Sequence, residues 1–140
     1  MDKFLGIDYG AVRIGIAICD ETKTIAFGRE FVNNDNSFPA RISSIIETEN
    51  ISKIILGYPV NLKGQKTKQT IEVESFEVNL KKIVEGKSIE IIRWDERFTS
   101  KIAQDSMLES GMKKKKRQQK GNIDIISAAL LLQSYLDSKK

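Results

Sequence analysis

The first ten residues constrain the chain most. Phe4-Leu5-Gly6-Ile7 is an apolar run that ends in one carboxylate, Asp8, with Gly10 close behind. Phe4, Leu5 and Ile7 predict a strand buried on both faces. Asp8 then falls where a central strand emerges. A lone ionised carboxylate is costly to bury unless it is paired or coordinates a metal. Gly10 allows a tight turn and a close approach of a ligand to the backbone. Read alone, Asp8 equally suits the start of a β-turn, because Asp favours turns before Gly. Two further carboxylates in matching places, Glu96 and Asp124, shift the balance toward a site.

With 140 residues, 40% hydrophobic and 30% charged, residues 1–140 suit a single globular domain with a real core. No apolar run is long enough to span a membrane, and the N-terminus lacks a signal-peptide pattern, so a cytoplasmic protein with no membrane partner is expected. Cys19 is the single cysteine and reads as a small buried hydrophobe. The absence of histidine excludes Ser-His and Cys-His catalysis and any His-ligated zinc. Acid–base or metal chemistry, if present, falls to carboxylates. The net charge of +4 is modest, and its distribution matters more than its sum.

Along the chain, Val12 to Cys19 alternates apolar residues with Arg13, Gly15 and Ala17, giving a strand hairpinned back on the first. Thr24 to Val32 is a third strand, broken by Asn33-Asn34-Asp35-Asn36. Asn36 or Ser37 caps a helix whose apolar face is Phe38, Ile42, Ile45 and Ile46. Ile51 to Leu56 is a fourth strand, leaving through Gly57-Tyr58-Pro59. Asn61 to Lys68 is a polar loop, and a helix follows to about Val84, stopped by Gly86. Ser88 to Trp94 is a fifth strand with Asp95-Glu96-Arg97 at its end. Thr99 or Ser100 caps a helix through Leu108 and Glu109. Ile123 to Leu136 closes the chain as an amphipathic helix, its apolar face marked by Ile126, Leu130, Gln133 and Leu136. Three strands, then alternating helices and strands, predict one mixed five-stranded α/β sheet with helices on its faces, the ribonuclease H-like order.

Asp8 ends the first strand, Glu96 ends the fifth, and Asp124 lies in the first turn of the last helix. In open α/β sheets, sites gather beyond the carboxyl ends of the strands. Carboxylates converging there without histidine suit hard cations such as Mg²⁺ or Mn²⁺. A pair of such ions about 3.5–4 Å apart can activate a water and stabilise the leaving oxygen in phosphodiester cleavage. Singly, Asp124 also suits a helix N-terminal acid favoured by the macrodipole, and Glu96 a surface ion pair with Arg97 or Lys101. The coincidence of three is the argument for catalytic and metal-binding roles.

Gly6-Ile7-Asp8-Tyr9-Gly10 followed by Arg13-Ile14-Gly15-Ile16-Ala17 resembles the opening of the YqgF family. Three further blocks match in order: Gly57-Tyr58-Pro59-Val60-Asn61-Leu62-Lys63-Gly64, then Trp94-Asp95-Glu96-Arg97-Phe98-Thr99, then Ile123-Asp124 with Ala128-Ala129 and Leu132-Gln133-Ser134-Tyr135-Leu136. The resemblance implies a ribonuclease H-like nuclease, assigned in that family to pre-16S rRNA or to Holliday junctions. It carries the family's metal-binding acids onto Asp8, Glu96 and Asp124. Related resolvases place another acid one turn further along the last helix, where this chain has Ser127; Asp95 is then a candidate fourth ligand.

Gly57 and Pro59 read as a rigid turn that lets a phosphate approach the backbone beside Asp8, as Gly10 does, or simply as a sharp strand exit. Arg97 fits a phosphate contact through its planar fork, and Arg13 joins it as a nucleic-acid contact unless it is an outward strand residue. Met112 to Lys120 holds Lys113, Lys114, Lys115, Lys116 and Arg117 with no aromatic residue interleaved. Such a run reads backbone charge rather than base identity, so the expected partner is nucleic acid, precursor rRNA before branched DNA. The expected state is a monomer or weak homodimer.

Overall fold

The computed structural model describes residues 2–98 and 120–139, and all structural statements below concern these. Five strands form one sheet: β1 Lys3–Asp8, β2 Arg13–Cys19, β3 Ala26–Asn33, β4 Ile51–Tyr58 and β5 Glu90–Asp95. Three helices accompany them: α1 Phe38–Thr48, α2 Lys68–Ile83 and α3 Lys120–Ser138, with a short 3-10 turn at Glu96–Phe98 after β5. The strand order is β3-β2-β1-β4-β5. β1, β2 and β3 form the antiparallel meander, while β4 and β5 run parallel to β1. The helix expected from Thr99 or Ser100 lies outside the described residues, as does the lysine-rich run.

Alternation along the strands divides the core in two. Leu5, Ile7, Ile14, Ile16, Ile54 and Leu56 pack with Phe38, Ile42 and Ile45 of α1 and Val73, Phe76 and Leu80 of α2. Ala17, Cys19 and Ile55 face the other way and pack with Ala128, Leu132, Tyr135 and Leu136 of α3. The apolar run of β1 is thereby covered on both sides, which is what its lack of alternation demands. Cys19 is buried there, its Sγ accepting the Phe4 amide at 3.1 Å.

α3 begins at Lys120 rather than Ile123, so Asp124 stands one turn inside the helix and not in its first turn. Its inward face is also rotated from the expected one. Ala128, Leu131, Leu132, Tyr135 and Leu136 are buried. Gln133 instead reaches the edge strand, accepting the Ala26 amide at 2.8 Å and donating to the Thr24 carbonyl at 2.9 Å. The rotation follows from glycine in the sheet. A Cβ at Gly15 would overlap the carbonyl of Asp124, and one at Gly6 would crowd Leu132, so α3 lies directly on strand backbone. The helix can settle this close only with its small residue, Ala128, against β1.

Elsewhere the boundaries move by a few residues. β3 starts at Ala26, because Asp20 Oδ1 accepts the Thr24 and Ile25 amides at 2.8 and 2.9 Å and keeps that segment in the turn. Ser37 occupies the N-cap of α1, but its hydroxyl donates to Asp35 instead of closing the cap. α2 starts from a Thr67–Thr70 capping box, and the Thr70 hydroxyl also donates to the Pro59 carbonyl, which locks the exit of β4.

Candidate active site

Asp8, Glu96 and Asp124 reach one end of the sheet on the α3 side, each by a different device. Asp8 terminates β1, paired through Gly15 to β2. The residue is half-buried and protein surrounds most of its carboxyl group. Glu96 follows β5, two strands away from β1, a span of about 9–10 Å at ordinary strand spacing. The side chain crosses it by folding back over β4 at Gly57. A Cβ on Gly57 would stand 2.5 Å from Glu96 Oε1. The space read from the sequence as room for a phosphate is therefore filled by a carboxylate of the site itself. Asp124 is set by the packing of its carbonyl on Gly15.

Asp8 and Glu96 share a hydrogen bond, and both resist ionisation. Burial pushes the Asp8 carboxyl well above the usual carboxylate range, and the charges of Glu96 and Asp124 push it the same way. Burial raises Glu96 too, with the Asp95 charge adding to it, while the hydrogen bond from Asp8 pulls in the opposite direction. A hydrogen bond between two carboxyl groups needs one proton, which the pair holds in common. Asp124 has a partner of its own: its Oδ2 accepts from Arg13 Nε at 3.0 Å. No group of three or more acidic or cysteine side chains stands in ligating positions among the described residues.

The remaining expected residues fall into place as follows. Arg13 is not an outward strand residue; it points to the α3 side and meets Asp124. Arg97 grips Asp95 rather than Glu96, with Nε–Oδ2 at 2.9 Å and a second nitrogen at 2.6 Å. That contact holds Asp95 below the usual carboxylate range. Arg97 also donates to the Leu62 carbonyl at 3.4 Å, tying the β4–α2 loop to the site. Gly10 is needed because Arg13's carbonyl occupies its Cβ position, and its own carbonyl accepts from Asn34 at 2.9 Å. Pro59 is buried, with its carbonyl held by Thr70. Ser127 lies on α3 one turn beyond Asp124. Lys113, Lys114, Lys115, Lys116 and Arg117 lie outside the described residues. Sequence reasoning missed the Gly57–Glu96 fit, although a glycine one strand away from an acid was the available signal. It also missed the Arg13–Asp124 pair, for which a separation of 111 residues leaves no local signal.

The chain has known counterparts. The family model described as RuvX, Holliday junction resolvase, matches residues 2–138. A relative from Ruminiclostridium cellulolyticum named "Putative pre-16S rRNA nuclease" is 41% identical over 138 residues, covering 96% of this chain and 94% of its own. One of the same name from Flavobacterium psychrophilum is 40% identical over 139 residues, covering 99% of each. Among solved structures, the chain is similar to T. thermophilus RuvC in complex with a Holliday junction substrate, with TM-score 0.62, 11% identity, and coverage of 99% of this chain and 96% of that one. It is also similar to the fowlpox virus resolvase bound to junction DNA, with TM-score 0.61, 15% identity and 98% of each chain covered. These two share the fold, the ribonuclease H-like one that the strand order had suggested. With the match running almost end to end, the chain belongs to the RuvX (YqgF) family of ribonuclease H-like nucleases.

Proposed function

We propose that the protein is a nuclease that cleaves phosphodiester bonds with a divalent cation, Mg²⁺ or Mn²⁺, held by Asp8 and Glu96 and completed by Asp124. The observation that carries the reading is the Asp8–Glu96 pair, two largely enclosed carboxylates sharing one proton at the end of parallel strands. An all-oxygen donor set of this kind suits a hard cation, whose charge would replace that proton. Bound there, the cation would supply the Lewis acidity that activates a water and stabilises the departing oxygen.

The chain's own residues do the rest. Glu96 is aimed by the absence of a side chain at Gly57. The pair must release its shared proton before both acids can act as oxygen donors, so activity should rise with pH through the range in which the pair titrates. Arg97 and Arg13 lie beside the acids and suit the phosphate backbone. Lys113, Lys114, Lys115, Lys116 and Arg117 supply sequence-independent attraction for it.

Precursor 16S rRNA is the favoured substrate, on the names of the relatives. Four-way DNA junction cleavage is the second reading, on the description of the family model. It uses the same chemistry but needs two symmetric cuts, so it calls for a dimer. The test offers precursor rRNA, single-stranded RNA and four-way DNA junctions in parallel, with and without Mn²⁺. Mn²⁺-dependent cleavage of the rRNA alone is expected. Cleavage of junctions by a dimer would favour the second reading. No cleavage together with no calorimetric Mn²⁺ binding would leave a non-catalytic nucleic-acid-binding module.

A further inference from the structure

The three arginine–carboxylate pairs near the sheet's carboxyl end differ in grip. Arg93 reaches Glu77 with three hydrogen bonds of 2.7 to 3.2 Å, and Arg97 reaches the Asp95 carboxylate with three of 2.6 to 3.1 Å. Arg13 meets Asp124 through one contact, Nε to Oδ2 at 3.0 Å. A guanidinium offers five N–H donors in a fixed fork, so a single contact uses little of it. Both partners of this pair remain about a quarter exposed, at 26% and 24%, which leaves the guanidinium within reach of an anion from solvent.

We propose that Arg13 is a latch on Asp124, which an incoming phosphodiester releases so that Asp124 can join Asp8 and Glu96 around the metal. This rests on the nuclease reading above and adds to it an order of assembly. The backbone need not move. The Asp124 carbonyl is seated on Gly15, two residues along β2 from Arg13, so α3 is pinned at that level. Only the Asp124 side chain has to change rotamer. Turning Asp124 toward Asp8 and Glu96 without a cation would bring like charges together, so the released form needs the metal. Nucleic acid and metal must then promote each other's binding by the same factor. Without substrate the protein holds an incomplete site, which limits indiscriminate cleavage. Arg13 acts here through Asp124 and is a positioning residue.

The experiment is calorimetric titration of Mn²⁺ into the full chain, alone and with a short phosphorothioate oligoribonucleotide, which keeps the backbone charge and resists cleavage. The oligonucleotide alone serves as the blank. In the wild type the oligonucleotide should tighten Mn²⁺ binding by about fivefold or more, the lower end of ordinary coupling. Arg13→Gln should bind Mn²⁺ about fivefold more tightly than wild type without the oligonucleotide, and gain almost nothing further from it. Arg13→Lys should keep part of the coupling, because one ammonium can also make a single contact, and it guards against a variant that folds poorly. Mn²⁺ binding that is unchanged or weaker in a folded Arg13→Gln overturns the latch and leaves the nuclease reading standing. Wild-type protein that binds no Mn²⁺ in either condition overturns both.

Discussion

Asp8 and Glu77 are two enclosed carboxylates on opposite faces of the same sheet, and the protein treats them in opposite ways. Glu77, on α2, is 5% exposed and held by the Arg93 fork from β5. Arg93 also lies over the Tyr58 ring, and Tyr58 donates to Glu74 at 3.0 Å, so the charge sits in a network with a cation at its centre. The Arg93 contact holds Glu77 below the usual carboxylate range. Asp8 has another carboxylate as its partner, and burial with that neighbour holds it well above the range. Packing alone asks for the Glu77 solution, because a buried ion needs its counter-ion. On the proposed function, an acid left with another acid is where a cation from outside would bind.

The sharpest way to break this comparison is Asp8→Asn, which keeps the size and a donor for Glu96 but removes the charge. Loss of several kcal/mol of charge stabilisation predicts a fall in cleavage of roughly a thousandfold. The fold should gain. A carboxyl group whose folded pKa is raised contributes stability below its ordinary value of 3.8 and loses it as pH rises. Without divalent metal, Asp8→Asn should therefore melt above wild type at neutral pH, with the gain vanishing in acid. One kcal/mol moves the midpoint by about 3–5 °C in a chain of this size. Near-normal cleavage, or a large drop in melting temperature, would make Asp8 a structural acid like Glu77.

Gly57→Ala tests the geometry of the pair rather than its charge. The new methyl group would meet Glu96 Oε1, the far end of a flexible side chain, so the side chain moves and the strand does not. A displacement near 1 Å at the reacting groups predicts about a hundredfold loss of cleavage. Stability should hardly change. A crystal structure of the variant with Glu96 in place, or full activity, would contradict the fit described above.

Arg93→Gln is the counterpart on the other face and carries the smallest effect. It leaves Glu77 enclosed without its fork. The Arg93 side chain is 45% exposed, so screening limits the loss to about 1–2 kcal/mol in denaturant unfolding at neutral pH. A lowered folded pKa contributes stability above the ordinary value of 4.5 that is lost as pH falls. The deficit should therefore shrink in acid, and cleavage should be unaffected. A loss of activity equal to that of Gly57→Ala would mean that the two faces are coupled.

Much of this was legible in local sequence. The unbroken apolar run at Phe4–Ile7 demanded a doubly covered strand, the glycine and asparagine breaks separated the elements, and the lack of histidine left carboxylates to do any chemistry. The three acids could be named because each stands at the end of a recognisable periodic segment or near the start of one. Tertiary structure alone decided how they stand to one another. Hydrophobic periodicity says which face of an element is buried but not how closely two elements approach. That closeness came from glycines at positions 15 and 57, whose missing side chains admit the α3 backbone and the Glu96 carboxylate. It turned α3 onto Ala128 and Leu132, brought Glu96 across an intervening strand to Asp8, and delivered Asp124 to Arg13 from 111 residues away. Contacts of that kind depend on the space left between backbones, a property of the assembled sheet and helix that no single segment carries.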